Sequence, residues 1–261
     1  MYALFTDETN MPADVRAEFF AYGGLIVPSG NLAAMHQGIE EIRANAGYRA
    51  GDELKFETNA RPNHVSIEAA RLAKSQTINL CIQLNCRFIV YVILHDICRN
   101  TPQDNLVRWG ADHVIGKFNY FLRQRDEHGI VAVDRFPSAA EYRLLTDKFN
   151  HGLTLPDGEQ VSLDRILLFT STCMNASHAC SAMDIVLGSF RYCINQPRNV
   201  DAAREMMHNI TRLIWCTRDA ENIYALERGL IFRPREVRVD AYRSKYDELL
   251  AHINRLIAEN N

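Results

Sequence analysis

Met1-Tyr-Ala-Leu-Phe-Thr-Asp-Glu8 opens the chain, and its reading decides the fold. Tyr2 to Phe5 is apolar without alternation, the pattern of a strand covered on both faces. The run ends in two adjacent carboxylates, Asp7 and Glu8. Acids in that position either begin a turn, where Asp is common, or stand at the lip of a sheet, where ligands and metals are held. The choice depends on whether further acids reach the same lip.

Outward from this strand, Glu18 to Val27 reads as a second strand, joined to the first as a hairpin by the polar link Thr9 to Ala17. Gly23-Gly24 inside it predicts a bulge or a close backbone approach. Leu32, Met35, Ile39 and Ile42 have helical spacing. A long helix is expected from about Asn63 to Leu84, then a buried strand from Phe88 to Leu94. Thr101-Pro102 reads as a helix start, with Thr at the cap and Pro first in the helix. Gly129 is read as its end. Ile130 to Val133 forms a short strand that stops at Asp134. Ser138 and Glu141 make a capping box for a helix over 139–150, and Pro156-Asp157-Gly158 a hairpin tip. Arg165 to Phe169 is read as the last strand. Helices follow at about Ser177 to Ile194, 201–217 and 240–258, the last with Tyr242, Tyr246, Leu249, Ile253, Leu256 and Ile257 on one face. Strands alternating with helices after a hairpin predict an α/β fold, a mixed sheet with helices on both faces.

The 261 residues are 47% apolar and 23% charged, ordinary for a globular chain. Charged residues interrupt every apolar run before it reaches a membrane-spanning length, and no secretory leader is evident. Seven cysteines, an odd number without a CxxC pair, argue against a disulfide framework or zinc knuckle and for a reducing cytoplasm. A net charge of -3 does not advertise nucleic-acid binding, yet a cluster of acids lowers net charge while a local basic patch tracks phosphates.

Three acids join Asp7 as candidates. Asp134 ends a short buried strand. Glu53 lies in the link before the long helix. Asp184 interrupts the apolar run Cys180-Ser-Ala-Met-Asp-Ile-Val-Leu-Gly188, where neither helix propensity nor solvation explains it. Each also has an ordinary reading, as a turn acid or a paired helix acid. If they share a site, two carboxylates 4 Å apart repel by about 4 kcal/mol at an effective dielectric near 20. Such a site wants a cation, or the protonation of some of its acids. All-oxygen ligands favour Mg²⁺ or Mn²⁺, and two such ions activate water and stabilise the leaving oxygen in phosphodiester cleavage.

The chain resembles the domain of unknown function 3800 family of the ribonuclease H-like superfamily. The matching stretches are Phe5-Thr-Asp-Glu8, Phe20-Ala-Tyr-Gly-Gly-Leu-Ile-Val27, Glu53-Leu-Lys55, Val131-Ala-Val-Asp134 and Ala182-Met-Asp-Ile-Val-Leu-Gly188. The resemblance implies a ribonuclease H-like fold over residues 1–198. Residues 199–261 are then a C-terminal helical extension, packed on the domain or used for dimerisation. It implies that Asp7, Glu53, Asp134 and Asp184 are catalytic, metal-binding acids for two Mg²⁺ or Mn²⁺ ions, with Asp7 central and Glu8 and Lys55 at matching positions. It implies a nuclease, in a mobile-element or phage-defence setting. Where the family has serine and often glycine after the first acids, this chain has Thr9-Asn10. Where it often has a serine-lysine pair before the late helix, this chain reads Thr170-Ser-Thr-Cys-Met-Asn175. Where it usually has alanine before the last acid, this chain has Met183.

His178 is read either as a helix-start histidine or as a general acid/base near the site. Arg233, Arg235 and Arg238, in a basic stretch with Arg228, Arg243 and Lys245, form either a phosphate-tracking surface for DNA or RNA or a solvated face interleaved with Glu236, Asp240, Asp247 and Glu248. The expected function is a divalent-metal-dependent nuclease. The alternative is a non-catalytic ribonuclease H-like module that binds a protein partner within a larger complex.

Overall fold

A computed structural model describes residues 1–9, 17–134, 141–154, 160–173, 176–195, 199–218 and 223–260. In chain order the larger elements begin with β1 (Tyr2–Glu8), β2 (Phe19–Pro28), α1 (Leu32–Asn45), α2 (Ile67–Gln83) and β3 (Arg87–Leu94). A single turn, α3 (His95–Cys98), leads to α4 (Gln103–Gln124), β4 (Gly129–Asp134), α5 (Glu141–His151), and the short strands β5 (Leu153–Thr154) and β6 (Gln160–Val161). Then come β7 (Ile166–Thr172), α6 (His178–Ile194), α7 (Val200–Thr211), the pair β8 (Thr217–Arg218) and β9 (Ile223–Tyr224), β10 (Leu230–Arg233) and α8 (Asp240–Glu259).

Six strands form one sheet in the order β10-β3-β2-β1-β4-β7. β1 is antiparallel to β2, β2 is antiparallel to β3, and β4, β7 and β10 are each parallel to their neighbours. All strands except β2 therefore end at the same edge. The sheet is mixed and both faces are covered, the α/β architecture with helices on both sides that the sequence led us to expect.

Alternation along the strands explains the two cores. Ala3 and Phe5 of β1, with Phe88, Val90 and Val92 of β3, face α1, α2, α6, α7 and α8. Leu4 of β1 and Ile89, Tyr91 and Ile93 of β3 face α4. Burying both sides is what an unbroken apolar run demands. Gly23-Gly24 is the close approach and not the bulge, because β1 and β2 pair without interruption. A Cβ at Gly23 would stand 2.8 Å from Met183 Cε, and one at Gly24 would stand 2.7 Å from Val114. Helices thus press on β2 from both faces.

Several boundaries differ from expectation. Pro102, not Thr101, is the N-cap of α4. That helix ends at Gln124, and Gly129 begins β4 rather than stopping a helix. α7 stops at Thr211, and Thr217–Arg218 belongs to a strand pair. β7 is not the last strand of the sheet: Leu230–Arg233 adds a sixth, beside β3. Ser138 of the expected capping box and the Pro156-Asp157-Gly158 tip lie outside the described residues. Tyr246, Ile253, Leu256 and Ile257 of α8 are buried in the core of their own chain. No helix among the described residues is long and apolar enough to cross a membrane.

Candidate functional site

The common edge where β1 and β4 end carries the acids. Thr6 stands level with Val133 in the parallel β1–β4 pair, so Asp7 and Asp134 follow side by side. Parity puts both on the face of Ala3, Phe5 and Ala132, which α6 covers. Asp184 comes from α6, which packs across β1 and β2. Ser177 caps that helix, its hydroxyl accepting from the Ala179 N–H at 3.2 Å.

Burial drives the Asp7 carboxyl well above the usual carboxylate range, and the negative charges of Asp184, Glu8 and Asp134 push it further. One Asp7 oxygen accepts from the Glu8 N–H at 2.8 Å, which opposes the shift. Burial and then Asp134 push Glu8 up to about 7. Glu8 alternates to the α4 side of β1, yet its charge reaches Asp7. Asp184 is also raised by burial. The Phe56 N–H, at 2.6 Å from its Oδ2, and the charges of Lys55 and Lys74 offset part of that. Asp7, Asp134 and Asp184, from two strands and a helix, therefore lie close enough to feel one another's charge.

Glu53 pairs with Lys55 at 2.5 Å. This bond, with the charges of Asp184 and Asp134, raises the Lys55 ammonium above its ordinary value. Leu54 between them is fully buried and anchors the loop on the α6 face.

The donor chemistry fits a hard divalent ion: every acid offers oxygen, and mutual repulsion inside a partly buried site favours cation binding. Among the described residues, no three His, Cys, Asp or Glu side chains stand ready as a metal-ligand group.

His178 is turned to α1. Its Nε2 contacts the Glu40 carboxylate, and its ring lies 4.8 Å from the His36 ring. Arg233 is occupied at the end of β10. Its Nη1 meets Glu227 Oε1 at 2.5 Å, and its Nε donates to His113 Nε2 at 2.8 Å. Arg235 and Arg238 are exposed. With Arg243, Phe232, Tyr246 and Leu250 they line a cleft of about 630 Å³. β10 ends at the same edge as β1, three strand spacings away, which is about 14 Å.

Sequence reasoning passed over Phe56 and Lys74. Lys74 had a signal: it falls on the stripe Ala70, Ala73, Lys74, Thr77, Ile78 and Cys81, all buried on α2. Phe56 had none, because its role is a backbone N–H aimed at a helix 128 residues away.

No family model matches the chain, and no curated protein matches it. Among solved structures, that of a point mutant of Bst-RNase HIII is similar, at 12% identity and a TM-score of 0.36 over 80% of this chain. The chain spans 61% of the length of that protein.

Proposed function

We propose that this chain is a divalent-metal-dependent nuclease that hydrolyses nucleic-acid phosphodiester bonds, with Asp7 at its centre and Glu53, Asp134 and Asp184 around it. The observation that carries the reading is the parallel register that sets Asp7 beside Asp134 where β1 and β4 end, with Asp184 on the helix α6 that packs across β1. Membership in the domain of unknown function 3800 family belongs to the same proposal and rests on the order of the five motifs.

Two Mg²⁺ or Mn²⁺ ions held by these carboxylates would supply charge neutralisation and an activated water. The chain's own groups do the rest. Asp7 is the innermost acid and repels its neighbours most, so it gains most from a cation. Lys55 stays protonated beside Glu53 and offers its ammonium to a phosphate oxygen. Arg235 and Arg238, on the same sheet edge, extend a positive path for a backbone bearing several phosphates. Residues 1–198 bear the acids, and residues 199–261 bring the arginine cleft together with β10 of the same sheet and two helices of the same core.

The test is Mn²⁺ binding and cleavage of labelled RNA, DNA and RNA–DNA hybrids by wild type and Asp7→Asn. Cleavage in Mn²⁺ should fall more than about 100-fold in the variant, beyond the cost of losing an outer partner of a metal, with circular dichroism unchanged. A variant that cuts as well as wild type sinks the proposal. Wild type that binds no Mn²⁺ at millimolar concentration leaves the interaction-module reading in its place.

A further inference from the structure

Lys74 is a lysine in the wrong place for a surface helix. It is only 6% exposed, on the buried stripe of α2. Burying an ammonium costs several kcal/mol unless its donors are satisfied, and an apolar residue would fill the position at no such cost. Both hydrogen bonds of Lys74 go to one loop. Nζ donates to the Phe56 carbonyl at 2.7 Å and to Thr58 Oγ1 at 2.6 Å. The ammonium also lies 5.1 Å from the centre of the Phe56 ring.

Phe56 is the hinge of this arrangement. Its carbonyl faces Lys74, and its N–H faces Asp184 Oδ2. Its ring lies over Gly188, one helical turn beyond Asp184, where an added Cβ would collide with it. A residue gripped at its carbonyl, its N–H and its ring has little freedom left. Lys55 and Glu53 lie one and three residues upstream on the same loop.

We infer that Lys74 is a positioning residue: by holding Phe56, it keeps the loop that bears Glu53 and Lys55 seated against Asp184. This rests on the reading of those acids as a metal-binding nuclease site. Lys74 touches no reacting atom. It acts through the Phe56 peptide, so its loss should loosen the site while α2 stays in place.

The experiment compares wild type with Lys74→Met, which keeps the length and removes the donors. Two quantities are read: amide hydrogen exchange in metal-free protein, and Mn²⁺ affinity by titration with the metal alone. The Phe56 amide should exchange at least about tenfold faster in the variant. The amides of Ile78 and Cys81, inside α2, should be unchanged. Mn²⁺ affinity should fall about 10- to 100-fold, as for loss of an outer partner of a metal site. Unchanged exchange at Phe56 in a folded variant overturns the inference. So does wild-type Mn²⁺ affinity in a variant whose Phe56 amide has been freed, since Lys74 would then hold the loop without serving the site. If wild type itself binds no Mn²⁺, the nuclease reading falls and the positioning role falls with it, and the exchange data alone report whether Lys74 holds the loop. Should Lys74→Met fail to fold, Thr58→Val removes one acceptor of the same lysine and is judged by the same outcomes.

Discussion

Asp7 and Asp134 end neighbouring parallel strands one step beyond the level pair Thr6 and Val133. That register, and not a contact between distant loops, is what puts two acids together. A one-residue slip would turn one of the carboxylates to the opposite face.

Removing the Asp7 charge should stabilise the metal-free protein. Asn has nearly the same shape and relieves repulsion from Asp184, Glu8 and Asp134. A gain of about 1–2 kcal/mol is expected from removing a buried, unfavourably placed charge, or about 3–6 °C in melting temperature for a chain of this size. Thermal unfolding in EDTA at neutral pH measures it. A fall in melting temperature would contradict the electrostatic account of the site.

Gly188→Ala should cost stability. The new Cβ meets the Phe56 ring and Cβ. Overpacking of this kind costs about 1–3 kcal/mol, against about 1 kcal/mol regained in helix propensity. A melting temperature lower by a few degrees, with faster exchange of the Phe56 amide, is the expected pair of readings. A more stable variant with an undisturbed Phe56 amide would remove the glycine notch from the description.

Arg235 and Arg238 should matter for nucleic acid and little for the fold, while Arg233 should do the reverse. Replacing Arg235 and Arg238 with Ala should weaken binding evenly across sequences and lower the salt slope by about 1 for each phosphate left without its arginine. Mn²⁺ affinity should not change. Arg233→Ala strips Glu227 of its closest partner and should cost about 2–3 kcal/mol. Fluorescence anisotropy over a salt series separates these effects. Equal salt slopes in wild type and the double variant would remove the cleft from the nucleic-acid path.

Glu227 should contribute an acid-sensitive part of stability. Burial alone would raise its carboxyl, but hydrogen bonds from Arg233 and Lys117 outweigh this and hold it down to about 2. A carboxyl depressed in the folded state stabilises the protein above its unfolded value near 4.5, and that contribution is lost as pH falls from there towards 2. The difference in stability between wild type and Glu227→Gln should therefore be constant above about pH 5 and shrink below it. Urea unfolding at a series of pH values checks this. A difference that grows towards acid would mean the sign is wrong.

The sheet and the approach of Asp134 and Asp184 to Asp7 were legible because their signals are local. Tyr2 to Phe5 and Phe88 to Leu94 are unbroken apolar runs, Asp7 and Asp134 follow such runs closely, and Asp184 is conspicuous among apolar neighbours. β10 was not legible, because four residues after a glycine make too short a pattern and their pairing with β3 is purely tertiary. Lys74 has the composition of a solvated helix residue, although its spacing matches the buried stripe. The Phe56 bond to Asp184 leaves no trace in side-chain pattern, since any residue but proline has the N–H that makes it.

β10 also sets an order of events. Its partner β3 precedes it by about 140 residues, and pairings of that span are slow to form. Until Leu213–Trp215 and then β10 are made, β3 lacks the partners that pair one side of its backbone. An edge of this kind is a template for pairing with another chain. β10 thus completes the cover on that edge, and a chain that stops before Leu230 would carry the acids with most of the edge of β3 open to pairing with another copy.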